Sequence, residues 1–319
     1  MNKNFIYIFA GLAIVLLLEA CNSTPKRKNG RTDTYSSGAV SIASDESFAP
    51  IIDQEKQIFE SIYNQATVTP IYTDEIAAVK MLLDDSVQLA ITARGFSKKE
   101  MEFFKSRELE PRQIPLAYDG LALLVNKANT DTCITVNDIK RILLGEVTQW
   151  NQIYPQSKRG DIEVVFDNKN SSTVRFASDS ILGGKDIVSP VIKATETTAD
   201  VIDYVEKHAN AIGIIGSNWL NDKGDTTNLT FNKNINVMAV SKMDKATVAN
   251  SWKPYQAYLY NGNYPLVRTI WALLNDPYNG LPWGFAQFIA SPKGQLILFK
   301  AGLLPRQGNI TIRDVNVNQ

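Results

Sequence analysis

Short apolar runs and longer segments of helical spacing alternate along the chain from residue 39 onward. AVSIAS, TVTPIYT and VQLAIT have the length and β-branched content of strands, whereas 48–63 and 75–83 place apolar residues three and four apart, as helices do. A charged helix over 98–106 follows, and then two extended runs, PRQIPLAY and GLALLVN. After Lys127 the pattern restarts, with a helix over 135–144, a strand over 162–166, a helix over 171–182, a strand over 189–194, a helix over 197–207 and the strand AIGIIG. The polar, Gly/Asn/Asp-rich stretch 221–234 predicts a surface loop. Beyond it INVMAVS and QAYLYN read as extended, and 264–274, 282–289 and 292–300 as helical, with prolines at first-turn positions. This alternation predicts an α/β fold with mostly parallel sheets flanked by helices. The restart, followed by a tail without a βαβ series of its own, predicts two lobes, 39–126 plus 235–319 and 127–234. Two crossings between them would form a hinge, with a ligand cleft between the lobes.

The N-terminus changes the picture. Lys3 precedes an apolar stretch over 5–18, too short for a spanning helix, so 1–20 has the build of a signal peptide. Its ending, Leu18-Glu19-Ala20-Cys21, resembles a bacterial lipobox, apart from Glu19, where a small residue is usual. The resemblance implies that Cys21 carries lipid and that the protein faces out of the cytoplasm on a bacterial envelope; a plain signal peptide or an uncleaved anchor are the alternatives. Residues 21–38 are polar and read as a flexible tether. With Cys21 lipidated only Cys133 remains, which excludes an intrachain disulfide and a Cys-based metal site. A formal net charge of zero and the lack of a basic arm argue against a nucleic-acid partner, since Lys26-Arg27-Lys28 lies in the tether.

In open α/β sheets, ligands bind where strands give way to helices. Four such junctions are polar here: ASDESFAPI with Asp45, Glu46 and Ser47, IYTDEIAAV with Asp74 and Glu75, AITARGFSKKE with Thr92 and Arg94, and FDNKNSSTVRF with Ser171, Ser172 and Thr173. Each has an ordinary explanation in helix capping. Three hydroxyls in a row exceed what one cap uses, and they suit an anion on a helix N-terminus. Arg175 reads as flanking its helix, paired with Asp179 four residues on.

These junctions resemble those of the PstS-like phosphate-binding proteins of ABC-type phosphate importers, in the type II periplasmic-binding-protein superfamily. VNDIKRILLGEVTQWNQI, IPLAYDGLALLVNKAN, AIGIIGSNWL and YPLVRTIW extend the resemblance over most of the chain after residue 39. It implies a two-lobed type II fold, inorganic phosphate as ligand, permease subunits of an importer as partners, a monomer, and no enzyme activity, cofactor or metal. The implied ligand residues are Ser47 and Phe48, Glu75, Thr92 to Arg94, and Ser171, Ser172 and Thr173. An Arg and an Asp usual before the last loop are replaced by Asp167 and Lys169, and Ser172 stands for a Gly. Arg94 is the expected source of the missing guanidinium, whose planar fork fits a tetrahedral oxyanion.

A carboxylate beside an anion is a selectivity device when the ligand carries a proton: phosphate can donate to it, and sulfate cannot. Glu75 is the first candidate, Asp45 and Glu46 the next; first-turn stabilisation of its own helix is the other role open to Glu75. No GxSxG, HExxH or Walker A sequence occurs, and the single histidine, His208, reads as a helix-end residue. Another oxyanion such as sulfate or molybdate, or an adhesion or structural protein that kept the fold, are the alternative functions.

Overall fold

The computed structural model describes residues 30–220 and 234–306; the leader, Cys21 with the first half of the tether (21–29) and nearly all of the 221–234 loop lie outside the described residues. Strand β1 (Gly38–Asp45) leads through a 3₁₀ turn (Glu46–Phe48) into α1 (Ala49–Ile62), and β2 (Ala66–Thr73), α2 (Glu75–Leu83), β3 (Leu89–Thr92) and α3 (Lys98–Ser106) follow. The two extended runs predicted after α3 are one strand, β4 (Arg112–Asn126), because Asp119 and Gly120 stay in the ladder opposite Arg268 and Val267. Next come β5 (Cys133–Thr135), α4 (Val136–Leu143), β6 (Glu163–Phe166), α5 (Ser172–Phe176), β7 (Ile192–Ala194), α6 (Thr198–Lys207) and β8 (Ala211–Gly216). The chain closes with β9 (Ile235–Val237), β10 (Ala239–Ser241), α7 (Gln256–Tyr260), β11 (Val267–Leu274), α8 (Leu281–Ala290), α9 (Pro292–Lys300) and β12 (Leu304–Pro305).

One sheet runs β2-β1-β3-β11-β4-β8-β6-β7. Its two wings are parallel (β2, β1 and β3; β8, β6 and β7), while β11 and β4 enter antiparallel. β4 belongs to both halves. Its first part pairs with β11 up to Gly120 and its second with β8 from Leu121 on, so one strand joins the halves. Each half buries its own apolar core. Phe48, Phe59, Leu89, Ile270 and Phe285 gather in the first, and Leu123, Trp150, Phe166, Ile212 and Met238 in the second. Leu259, Tyr264 and Leu266 also pack on the second core, and the chain returns to the first at β11.

Two predictions near the C-terminus fail together. Residues 264–274 are expected to be helical and instead hold β11, while QAYLYN, expected to be extended, forms α7. LVRTIWALL is apolar nearly throughout, the signature of a strand buried on both faces, which spacing alone does not separate from a buried helix. The helix predicted over 171–182 divides into α5 and a π-helical turn, Ala177–Ile181.

Candidate functional site

The C-terminal end of β1 and that of β6 meet between the halves. At the first, Asp45 Oδ1 accepts from Ser47 N at 2.9 Å and Ser47 Oγ at 2.5 Å, which fixes the turn before α1. At the second, Asp167 Oδ1 accepts from Ser171 Oγ at 2.6 Å and from Thr173 Oγ1, and Ser171 caps α5. The loops then join across the cleft. Asp45 Oδ2 accepts from Ser172 N at 3.1 Å, and Ser47 Oγ lies 3.3 Å from Ser172 Oγ. Asp45, Ser47, Ser171, Ser172 and Thr173 are all buried. Burial pushes the Asp45 carboxyl above its ordinary range and Asp167 adds to this, while Arg268 opposes it.

Arg268, on β11, supplies the guanidinium of this cluster. Its Nη1 donates to Ser172 Oγ at 2.7 Å, its Nη2 to Ser47 Oγ at 3.3 Å, and its Nε to Asp119 Oδ2 at 2.9 Å. Asp119, from β4, is held in turn by Ser217 N and Oγ at 2.9 and 2.8 Å. The guanidinium lies 4.8 Å from the centre of the Phe48 ring, so a buried cation has an aromatic face beside it. Asn218 Nδ2 and Trp219 Nε1 both donate to Ser47 O, at 2.9 and 2.8 Å. Asn218 Oδ1 is buried and accepts no hydrogen bond from the described residues. An unpaired acceptor beside the cluster is a place for a ligand donor.

Sequence reasoning missed Arg268 and Asp119. A signal was present: each is a lone charge inside an apolar strand sequence, LVRTIWALL and LAYDGLALL, and a charge buried there requires a partner of opposite sign.

The remaining candidates form a neighbouring wall. Glu75 is buried at the first turn of α2, and its Oε1 accepts from Ala93 N at 2.8 Å. Arg175 reaches across the cleft to both Glu75 oxygens, donates to Ala93 O at 3.1 Å, and also pairs with Asp179 at 3.1 Å. Burial works against the Arg175 charge, yet Glu75 and Asp179 carry its pKa above the ordinary value. Arg94 does not join the hydroxyl cluster. Glu100 binds its guanidinium bidentately at 2.7 and 2.8 Å, and its Nε is 3.9 Å from Glu75, while Thr92 Oγ1 donates to Arg94 O at 2.8 Å. In the hydroxyl cluster the guanidinium is thus that of Arg268 and not of Arg94, and Glu75 is engaged in an ion pair between the halves. Glu46 makes a further crossing, accepting from Thr198 N at 3.2 Å and Oγ1 at 2.7 Å at the start of α6.

A cavity of about 290 Å³ adjoins the cluster, and Asp45, Glu46, Asp74, Asp167, Ser171 and Glu196 are among its lining residues. No group of three or more His, Cys, Asp or Glu side chains among the described residues is arranged to hold a metal ion.

Residues 29–293 match the family model of the PBP superfamily domain. The phosphate-binding protein PstS of Borreliella burgdorferi is 23% identical over 317 residues, covering 95% of this chain and 99% of its own. Among solved structures, a Clostridium perfringens substrate-binding protein with bound phosphate superposes with a TM-score of 0.71 at 20% identity, over 85% of this chain and 100% of its own. An ABC-type phosphate transport receptor from Vibrio cholerae gives 0.62 at 20% identity, over 84% of this chain and 100% of its own.

Proposed function

Because the chain belongs to the PBP superfamily, a family of binding proteins with the type II two-lobed fold, we propose that it binds inorganic phosphate between its halves and delivers it to an ABC-type importer. The observation that carries this reading is the buried Arg268 guanidinium, which touches a hydroxyl from each half, Ser47 and Ser172. A tetrahedral oxyanion entering there would exchange these hydroxyl contacts for its own oxygens, and would take the place of Asp45 on Ser172 N at the opening of α5. Phe48 forms the floor under Arg268, and Ser171 and Thr173 shape the loop through Asp167. Glu75, Thr92 and Arg94 brace the adjoining wall through Arg175 and Glu100.

Asp45 is the carboxylate placed to read the ligand's proton. It already sits on Ser172 N, where an oxyanion would sit, so a ligand that displaces it has to offer a donor in return. Phosphate near neutral pH carries such a proton, and Asn218 Oδ1 is a second acceptor for it. Sulfate carries none and would face the buried carboxylate unrelieved. The phosphate-binding relatives support the same ligand.

The rest of the reading follows from the sequence. Cys21 carries the lipid anchor, the mature protein is a monomer facing out of the cytoplasm on a bacterial envelope, and the two lobes move against each other about the crossings at β4 and before β11, with 235–266, which packs on the second core, moving with 127–234. Calorimetric titration of the parent and of Asp45→Asn with phosphate and sulfate tests the site. The parent binds phosphate and excludes sulfate, whereas the amide variant admits sulfate and loses phosphate affinity. A parent that binds neither anion, or a variant with unchanged selectivity, would refute the assignment.

A further inference from the structure

We propose that one face of the protein, built from the loop before α7, α7 itself and the outer side of α9, lies against an anionic lipid bilayer. Charge is the first observation. Between Lys242 and Arg306 only two residues are acidic, Asp244 and Asp276, and the second is buried and paired with Arg31. Over the same stretch Lys245, Lys293 and Lys300 are exposed. The whole chain has no net charge, so this basic character is local.

The second observation is apolar. Met243, Val248, Tyr255, Tyr258, Tyr260, Leu296 and Phe299 make up half of the large exposed apolar side chains among the described residues, and the rest are spread over the molecule. Tyr260 is 58% exposed and Leu296 52%. Two of the aromatic members are joined with a third ring: Tyr258 stacks on Trp252 at 5.7 Å and meets Tyr255 edge-on at 6.2 Å. α7 and α9 are also fixed to each other, because Gln256 Nε2 donates to Phe299 O at 2.7 Å and Leu303 O at 2.6 Å, at the C-terminal end of α9. Leu296 and Phe299, three residues apart, share the outer side of α9 with Lys293 and Lys300 at its ends.

This composition favours lipid over protein. Protein interfaces are depleted in lysine, whereas tyrosine, tryptophan and lysine gather together at the surface of an anionic bilayer, each lysine near it adding attraction. Reach is consistent with it. With Cys21 as the anchored residue, nine residues lead to Gly30 and span at most about 32 Å. The chain then docks where Asp33 accepts from Leu281 N at 2.7 Å, at the start of α8. That helix is roughly 15 Å long and runs directly into α9.

The test is flotation of the full chain with vesicles of phosphatidylcholine alone or with one-third phosphatidylglycerol. An N-terminal anchor contributes to both, so the face is read from the difference between them. The parent should partition at least tenfold more strongly onto the phosphatidylglycerol vesicles at low salt, and high salt should remove that excess. With Lys26, Arg27 and Lys28 neutralised in every protein compared, to remove the share of the tether, Lys245→Gln/Lys293→Gln/Lys300→Gln should remove roughly a factor of ten or more with an unchanged unfolding midpoint. A photo-crosslinking phenylalanine analogue at position 299 should form lipid adducts on the same vesicles. Equal partitioning onto both vesicles, an excess that survives in the triple variant, or crosslinking in native membranes to protein and not to lipid would each overturn the proposal.

Discussion

At residue scale, a buried guanidinium has to find its countercharge and its hydrogen bonds within the protein, and Arg268 finds Asp119, Ser47 and Ser172 in one plane of donors. Lysine has the charge but lacks that fork. Arg268→Lys should therefore lower phosphate affinity by about 1.5–3 kcal/mol, the scale of hydrogen bonds to charged groups, while Arg94→Lys, outside the cluster, should change it by less than about 0.5 kcal/mol. Titration of both variants checks the ranking, and a larger loss at Arg94 would return the anion role to that residue. Glu55 is a different case: it is fully buried in α1, neither oxygen has a hydrogen-bond partner among the described residues, and burial pushes its pKa up to about 9. A carboxyl raised in this way holds its proton more tightly in the folded chain. The stability it contributes is fully present below its unfolded value of 4.5 and is lost as pH rises toward about 9. Glu55→Gln should flatten that decline, so urea midpoints at pH 5 and pH 9 should lie closer together than in the parent; an equally steep decline would show that other groups carry it. The hydroxyls of Ser47 and Ser172 were legible in the sequence because they follow strands at loop ends. Arg268 was not, because its neighbours in the chain are strand residues and its partners are 96 to 221 positions away.

At the scale of elements, the site depends on how closely β8 can pass the Arg268–Asp119 pair. A Cβ on Gly216 would lie 2.8 Å from Arg268 Nη2, 2.9 Å from Asp119 Oδ2 and 2.6 Å from Asn218 Oδ1, so glycine is required by space and not by its backbone angle. Gly216→Ala should displace the pair, cost about 1–3 kcal/mol of stability, and weaken phosphate binding along with it. Unfolding and titration of the same preparation check this, and a variant with parental affinity would show that the anion does not use the pair. The parallel wings were legible because their strands and helices alternate with clear changes of period. β11 was not, since Leu266, Ile270 and Leu273 also fit a helical stripe, and what decides its form is the two strands on either side of it. In α7 the aromatic run QAYLY has the composition of a strand. Leu259 alone is buried there, and the exposed tyrosines that suggested a strand are not in any sheet.

At the scale of the whole molecule, the halves are held together by the chain's own charges: Asp45 on Ser172, Glu46 on Thr198 and Glu75 on Arg175. Two of these carboxylates, Asp45 and Glu46, also line the cavity at the cleft, together with Asp74, Asp167 and Glu196, and no lysine or arginine is among its lining residues in the described part of the chain. An anion arriving there meets a field of its own sign before it reaches Arg268. A basic funnel speeds association at low salt, and salt slows it by screening the attraction. An acidic mouth reverses that sign. Screening of repulsion shortens as the Debye length falls to about 8 Å at physiological ionic strength, so the association rate for phosphate should rise, by roughly two- to fivefold, between low and physiological salt. Stopped-flow mixing with phosphate, read by the fluorescence of Trp219 beside Ser47, measures it. Glu196→Gln, at an exposed position on the mouth, should raise the low-salt rate and flatten the salt dependence without changing the hydroxyl cluster. A rate that falls with salt in both proteins would mean that Arg268 and Arg175 set the field an entering anion feels, and that the carboxylates at the mouth are already neutralised by protons or by one another's partners.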